Sequence, residues 1–148
     1  MALYHFHVER IKRSEGRTAV ASAAYRVGEK LHNLWDGETH DYTKKGGVVL
    51  TEIILPEHAP QRFLDRSTLW NEVEQVEKHY KAQLAYSFDM ALQNEISMEE
   101  NIKLAREFVQ KYFVSEGMIC DLAVHQPDRE EGGIPNPHFH VLVPIRPL

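Results

Sequence analysis

The sequence predicts an α+β fold, a central antiparallel sheet with helices packed against it. Three patterns predict it. Five short stretches, residues 4–8, 48–55, 84–92, 118–125 and 138–145, are β-rich, and several alternate in the way of strands. Three longer stretches between them repeat apolar residues at helical spacing. The last two strands are separated by residues 126–137, where Asp128, Gly132, Gly133 and three prolines mark a turn-rich connection between antiparallel neighbours.

Each element has its own reason. The chain opens with the alternating run YHFHV at residues 4–8. After a polar turn at 13–17, Thr18 can cap a helix running to about Leu31, whose buried stripe would be Val20, Ala24, Val27 and Leu31. A polar, irregular stretch follows from 32 to 45. Gly46 and Gly47 introduce the strand 48–55, which Pro56 closes. From Pro60 to about His79, Phe63, Leu64, Leu69, Trp70, Val73 and Val76 recur at helical spacing. Leu84, Tyr86, Phe88 and Met90 alternate along the next strand. Ser97 stands three residues before Glu100, the spacing of a capping box, and opens a helix carrying Ile102, Ala105, Phe108, Val109, Tyr112 and Phe113 up to Gly117. The order is β-α-β-α-β-α-β-β, a layered arrangement around one core.

With 148 residues, 43% hydrophobic and 26% charged, the chain reads as one domain, 1–148, able to bury a core without staples. It ends directly after its last strand, so a fragment of a longer protein is expected. Cys120 is its one cysteine; an internal disulfide is excluded, and its apolar flanks read as inert packing in a reducing compartment. No apolar run approaches a membrane span and the N-terminus lacks the order of a signal peptide, so the expected location is cytoplasmic, with no membrane partner. The net charge of −5 argues mildly against nucleic acid, but residues 1–45 hold eight basic residues against six acids. A local basic surface there survives the unfavourable total.

The last strand carries two histidines one residue apart. Alternation turns His138 and His140 to one face, with Phe139, Val141, Val143 and Ile145 toward a core. His125 closes the preceding strand and His138 opens the next, so an antiparallel pairing sets them across from each other. Three imidazoles would converge from two strands. Neutral imidazole is a common ligand for divalent ions, and three protein ligands leave coordination positions open.

These motifs carry a resemblance. His138-Phe-His140 looks like the HUH motif, an apolar residue between two histidines. Together with AVHQPD at 123–128 and NPHFH at 136–140, the C-terminal part resembles the MobA/MobL relaxases of mobilisable plasmids. ALYHF at 2–6, TAVASAAYR at 18–26, DYTKKGGVV at 41–49, LWNEVE at 69–74 and EFVQ at 107–110 look like that family too, in order along the chain. The resemblance implies a two-layer sandwich with a central antiparallel sheet. It implies nicking and rejoining of one DNA strand at an origin of transfer, initiating conjugative mobilisation. On this sequence it implies Tyr25 as nucleophile and His125, His138 and His140 as ligands of a divalent metal: Mn, Mg, Zn, Ni or Co. Independently, Tyr25 stands beside Ala24 on the flank of its helix's buried stripe, and residues 21–24 are small enough for close approach of DNA or the sheet; Tyr42 is the alternative nucleophile. The family often has two acids before Ala-Leu-Pro where this chain has Ser87, Asp89 and Gln93. Asp89 could orient a ligand histidine by accepting its second ring N–H, or help take the tyrosine proton.

An ordinary tyrosine titrates near pH 10 and needs activation. A metal on a non-bridging oxygen would offset the phosphodiester's charge. Attack would yield a covalent 5′-phosphotyrosine and a free 3′-hydroxyl, resealable without ATP. Arg10, Lys12, Arg13, Arg17, Arg26, Lys30, Lys44 and Lys45 could contact phosphates, and Trp35 could stack on an unpaired base. The expected partner is single-stranded DNA at an origin of transfer, with auxiliary mobilisation proteins and a coupling protein. Alternatives are another HUH endonuclease (a rolling-circle replication initiator or a transposase), a non-catalytic single-stranded nucleic-acid-binding module, and a metal-binding domain unrelated to DNA.

Overall fold

The computed structural model describes residues 6–93, 95–126 and 137–146. The start of the expected first strand and most of the loop between the last two strands lie outside the described residues. Seven strands and three α-helices follow in the order β1 Phe6–Lys12, α1 Ala19–Val27, β2 Lys30–His32, β3 Thr39–Asp41, β4 Val48–Ile54, α2 Arg66–Val76, β5 Gln83–Ala91, α3 Met98–Tyr112, β6 Cys120–His125 and β7 His138–Pro144. Five strands form one antiparallel sheet in the order β1-β5-β7-β6-β4; β2 and β3 pair separately. The expected class is the observed one.

Alternation along the central strands sorts the core into two halves. Leu122, Val124, Val141 and Val143 pack with Ala105 and Val109 of α3. On the opposite face Leu142, Ala85 and Ile11 pack with Ala19, Val20, Ala23 and Ala24 of α1 and Leu69, Trp70 and Val73 of α2. Helices therefore cover both faces, which makes three layers where two were expected. Local periodicity places an apolar stripe on a helix but does not say which face of the sheet receives it.

Caps set the helix limits. Thr18, Asp65 and Ser97 each accept a hydrogen bond from the backbone N–H three residues on, as expected for Thr18 and Ser97. The first helix is shorter than expected. Gly28 takes a left-handed φ of 70° and its N–H closes on the Ala24 carbonyl at 2.9 Å, ending α1 at Val27. Leu31 is buried, but as part of β2. The expected helix of 60–79 is split into a 3-10 turn, Gln61–Leu64, and α2, with Asp65 between them; Leu64 and Val76 are exposed. Tyr112 of α3 is exposed too and packs on Phe108 with ring centroids 4.8 Å apart.

Two buried ionic clusters fasten α1 and α2. The Glu74 carboxylate, fully buried, accepts from the Ala19 N–H at 2.6 Å and from the Arg13 guanidinium at 2.9 Å, so α2 caps the first turn of α1. Asp121 of β6 accepts from Arg66 at 2.7 and 2.9 Å and from the Trp70 indole at 2.8 Å. Together they hold α1 over the half of the sheet where the histidines lie.

Candidate metal centre and tyrosine cleft

Register builds the cluster. His125 pairs directly with His138, Ala123 with His140, and Asp89 of β5 lies across from His140 on the other side. Side chains of paired residues share a face, so three imidazoles and one carboxylate gather on the face under α1. Ring centroids are 5.5 Å apart for His125 and His138, 4.4 Å for His125 and His140, and 4.9 Å for His138 and His140. One ligand atom from each lies within 4.8 Å of the others.

Hydrogen bonds assign the tautomers of two of the rings. The Arg26 carbonyl can only accept, so His125 donates to it through Nε2–H, at 2.6 Å, which leaves Nδ1 with its lone pair. His140 donates Nδ1–H to Asp89 and leaves Nε2 free to ligate. Burial, reinforced by His140, pushes the pKa of His125 down to about 4, so this ring is neutral at physiological pH. Burial raises the Asp89 carboxyl, but its bond from His140 and the nearby charges outweigh that, and its pKa falls. A neutral His125 with an unused Nδ1, a His140 backed by a carboxylate, and His138 beside them fit a divalent metal ion.

Tyr25 precedes the residue whose carbonyl holds His125. Its side chain is 53% exposed, meets Tyr42 edge-on with centroids 5.2 Å apart, and carries the Lys45 ammonium 3.8 Å from its ring centroid. Lys45 also donates to the Tyr25 carbonyl at 2.7 Å. Tyr25, Tyr42, Arg17 and Arg26 line one cleft between α1 and the β2–β3 hairpin.

The structure separates the eight expected phosphate contacts into groups. Arg17 and Arg26 both bond Glu9, at 2.9 and 3.2 Å, and Arg26 also donates twice to Ser87 at 3.0 and 2.7 Å. Arg13 is turned inward: its guanidinium bonds Glu74 and the carbonyls of Glu74, Glu77 and His79, and lies 4.0 Å over the Trp35 ring. It is an internal brace, and one ring face of Trp35 is taken by it; the indole remains 40% exposed. Arg10 lies 6.0 Å over Tyr86 and Lys12 pairs with Glu15. Lys30 and Lys44 are exposed.

Both departures from the family pattern have a local partner. Ser87, fully buried, is the acceptor for Arg26. Gln93 uses the N–H that a proline would lack: it bonds Asn101 Oδ1 at 3.2 Å while Asn101 donates back to the Gln93 carbonyl at 2.7 Å. Sequence reasoning did not find Glu9 or the role of the Arg26 carbonyl; both depend on the register of β1 against β5 and on how α1 lies over β6. Cys120 is buried, which raises its thiol pKa, in line with inert packing. No helix among the described residues is long and apolar enough to cross a membrane.

Comparison with known proteins agrees with this geometry. Residues 17–148 match the model of the MobA/MobL family. The chain is 39% identical to the conjugal transfer protein TraA of Rhizobium radiobacter over its whole length, which is 14% of that protein. It is 37% identical to the mobilization protein MobL of Acidithiobacillus ferridurans, covering 88% of this chain and 35% of the relative. A solved structure described as the molecular basis of vancomycin resistance transfer in Staphylococcus aureus superposes with a TM-score of 0.90 at 35% identity, over 99% of this chain and 72% of the other. The chain spans a small fraction of its TraA relatives, and the match runs through all the strands that carry the three histidines. This chain belongs to the MobA/MobL family.

Proposed function

We propose that this chain is the relaxase part of a mobilisation protein, nicking and rejoining a single DNA strand at an origin of transfer. The observation that carries the reading is the convergence of His125, His138 and His140 under the helix of Tyr25, joined to it through the Arg26 carbonyl. His125 through Nδ1, His140 through Nε2, and His138 would hold a divalent ion. That ion would offset charge on a non-bridging oxygen of the scissile phosphate.

The phenol oxygen of Tyr25 gives its proton to water as it attacks phosphorus, and the bond to the 3′ oxygen breaks. The 5′ phosphate stays on Tyr25, and the 3′ oxygen takes a proton from water and leaves as a hydroxyl. Asp89 is a positioning residue, holding the His140 ring through Nδ1–H. Arg26 stays beside the site through Ser87 and Glu9, and Lys45 sits over the nucleophile's ring; both add positive charge where a phosphate would arrive. Family membership favours a transfer origin over a replication origin as the substrate. The same positive charge supports single-stranded DNA as the partner.

The test is incubation with Mn2+ and single-stranded oligonucleotides tiling the origin of transfer of the replicon that encodes the chain. Mass spectrometry should find a nucleotide on Tyr25, and Tyr25→Phe should abolish it. An adduct that persists in Tyr25→Phe, or forms on Tyr42, would overturn the assignment.

A further inference from the structure

The β2–β3 hairpin carries a second group of ligand-type side chains that the relaxase chemistry leaves unused. Ligand atoms of Asp36, Glu38 and His40 all lie within 4.8 Å of one another. Local structure brings them together. Gly37, with φ of 77°, turns the chain between the two acids, and Asp36 Oδ1 accepts the Glu38 N–H at 2.8 Å. His40 pairs across the hairpin with Leu31. Paired residues share a face, and Leu31 is buried in the core, so the His40 ring turns inward toward α1.

The imidazole supplies an independent observation. Its Nε2 is completely buried and has no hydrogen-bond partner among the described residues. An unpaired buried nitrogen is destabilising, and a bound ligand would remove that cost. All three side chains line the same cleft as Tyr25 and Arg17.

We propose that Asp36, Glu38 and His40 bind a divalent cation, at a site separate from His125, His138 and His140. Two carboxylates and one imidazole suit a borderline-hard ion such as Mn2+. Metal–ligand bonds of 2.0–2.1 Å in octahedral geometry set adjacent ligand atoms about 3 Å apart, a closure within reach of two exposed acid side chains. Three protein ligands leave positions open to water or a phosphate oxygen. On the relaxase reading, a DNA strand approaching Tyr25 would pass these two carboxylates, and the cation cancels a repulsion that would otherwise oppose its entry. The binding itself does not depend on that reading.

The experiment counts Mn2+ bound to the metal-free chain, without DNA, by titration followed by electron paramagnetic resonance. Wild type should bind two ions per chain and D36N/E38Q one. Asparagine keeps the oxygen that the Glu38 N–H uses, and circular dichroism checks that the variant is folded. A count that D36N/E38Q leaves unchanged overturns the second site. Failure of the relaxase reading would show separately, as absence of the Tyr25 adduct while the change in count persists.

Discussion

Asp89 accepts a hydrogen bond from His140. A carboxylate behind a ligand histidine fixes the tautomer and the ring plane. Asp89→Ala should therefore lower the affinity of the histidine trio for Mn2+ about 10–100-fold, read by calorimetric titration, while leaving the fold intact. An unchanged affinity would show that His140 is held by packing alone. His125 makes a prediction about pH. Its folded pKa of about 4 lies below the ordinary 6.5, mainly because the ring is buried. Between these values the unfolded chain binds the proton and the folded chain does not, so stability rises with pH across that window. The metal-free protein should lose stability as pH falls from about 6.5 toward 4, in excess of any change in His125→Gln, as urea midpoints at successive pH values would show. Identical profiles for the two would remove His125 as the cause.

At the scale of elements, α1 must end where the Arg26 carbonyl meets His125. Gly28 makes that end. An alanine Cβ there would find Val48 Cγ2 at 3.5 Å and the Tyr42 carbonyl at 3.6 Å, ordinary contacts, so only the left-handed backbone opposes it. Gly28→Ala should cost about 1–2 kcal/mol, seen as a fall of a few degrees in Tm; a variant as stable as wild type would mean the turn relaxes at no cost. The elements also show what could be read in advance. Strands β4 to β7 and the caps at Thr18 and Ser97 follow from periodicity and spacing within a few residues, and the facing of His125 with His138 follows from one turn-rich connection. The β2–β3 hairpin was not legible because its strands are three residues each and mostly polar, too short for a period to emerge. Arg13 reads in the sequence as a possible phosphate contact, because its partner Glu74 is 61 residues away. The second face of the sheet was missed for the same reason: helix stripes are local, and their destinations are not.

For the whole molecule, the question is how a sheet with a cluster of polar rings on one face keeps those rings in place. His125 is anchored from below by β6 and from above by α1, and a contact between β6 and α2 is one of two fastenings that hold these elements together. Asp121 makes that contact from near the start of β6, on the same face as His125. It is buried, it accepts from Arg66 and from Trp70, and Arg66 also pairs with Glu29 just beyond α1. One guanidinium thus joins the sheet, α2 and the end of α1. Burial raises the Asp121 carboxyl against the pull of Arg66, so removing Arg66 leaves a buried carboxyl without its charged partner. Breaking one side of such a buried pair costs about 3–5 kcal/mol, more than replacing both sides with apolar groups. Arg66→Ala should therefore destabilise the protein by about 3 kcal/mol or more, measured by urea unfolding, and R66M/D121L should recover part of that loss. Because α1 is also held through Glu74 and Arg13, the helix should stay docked in Arg66→Ala, and Mn2+ binding by the histidines should survive below the unfolding transition. If Arg66→Ala instead abolished metal binding in a protein still fully folded, the position of α1 over His125 would rest on this one guanidinium, and the Glu74 cap would be the weaker of the two fastenings.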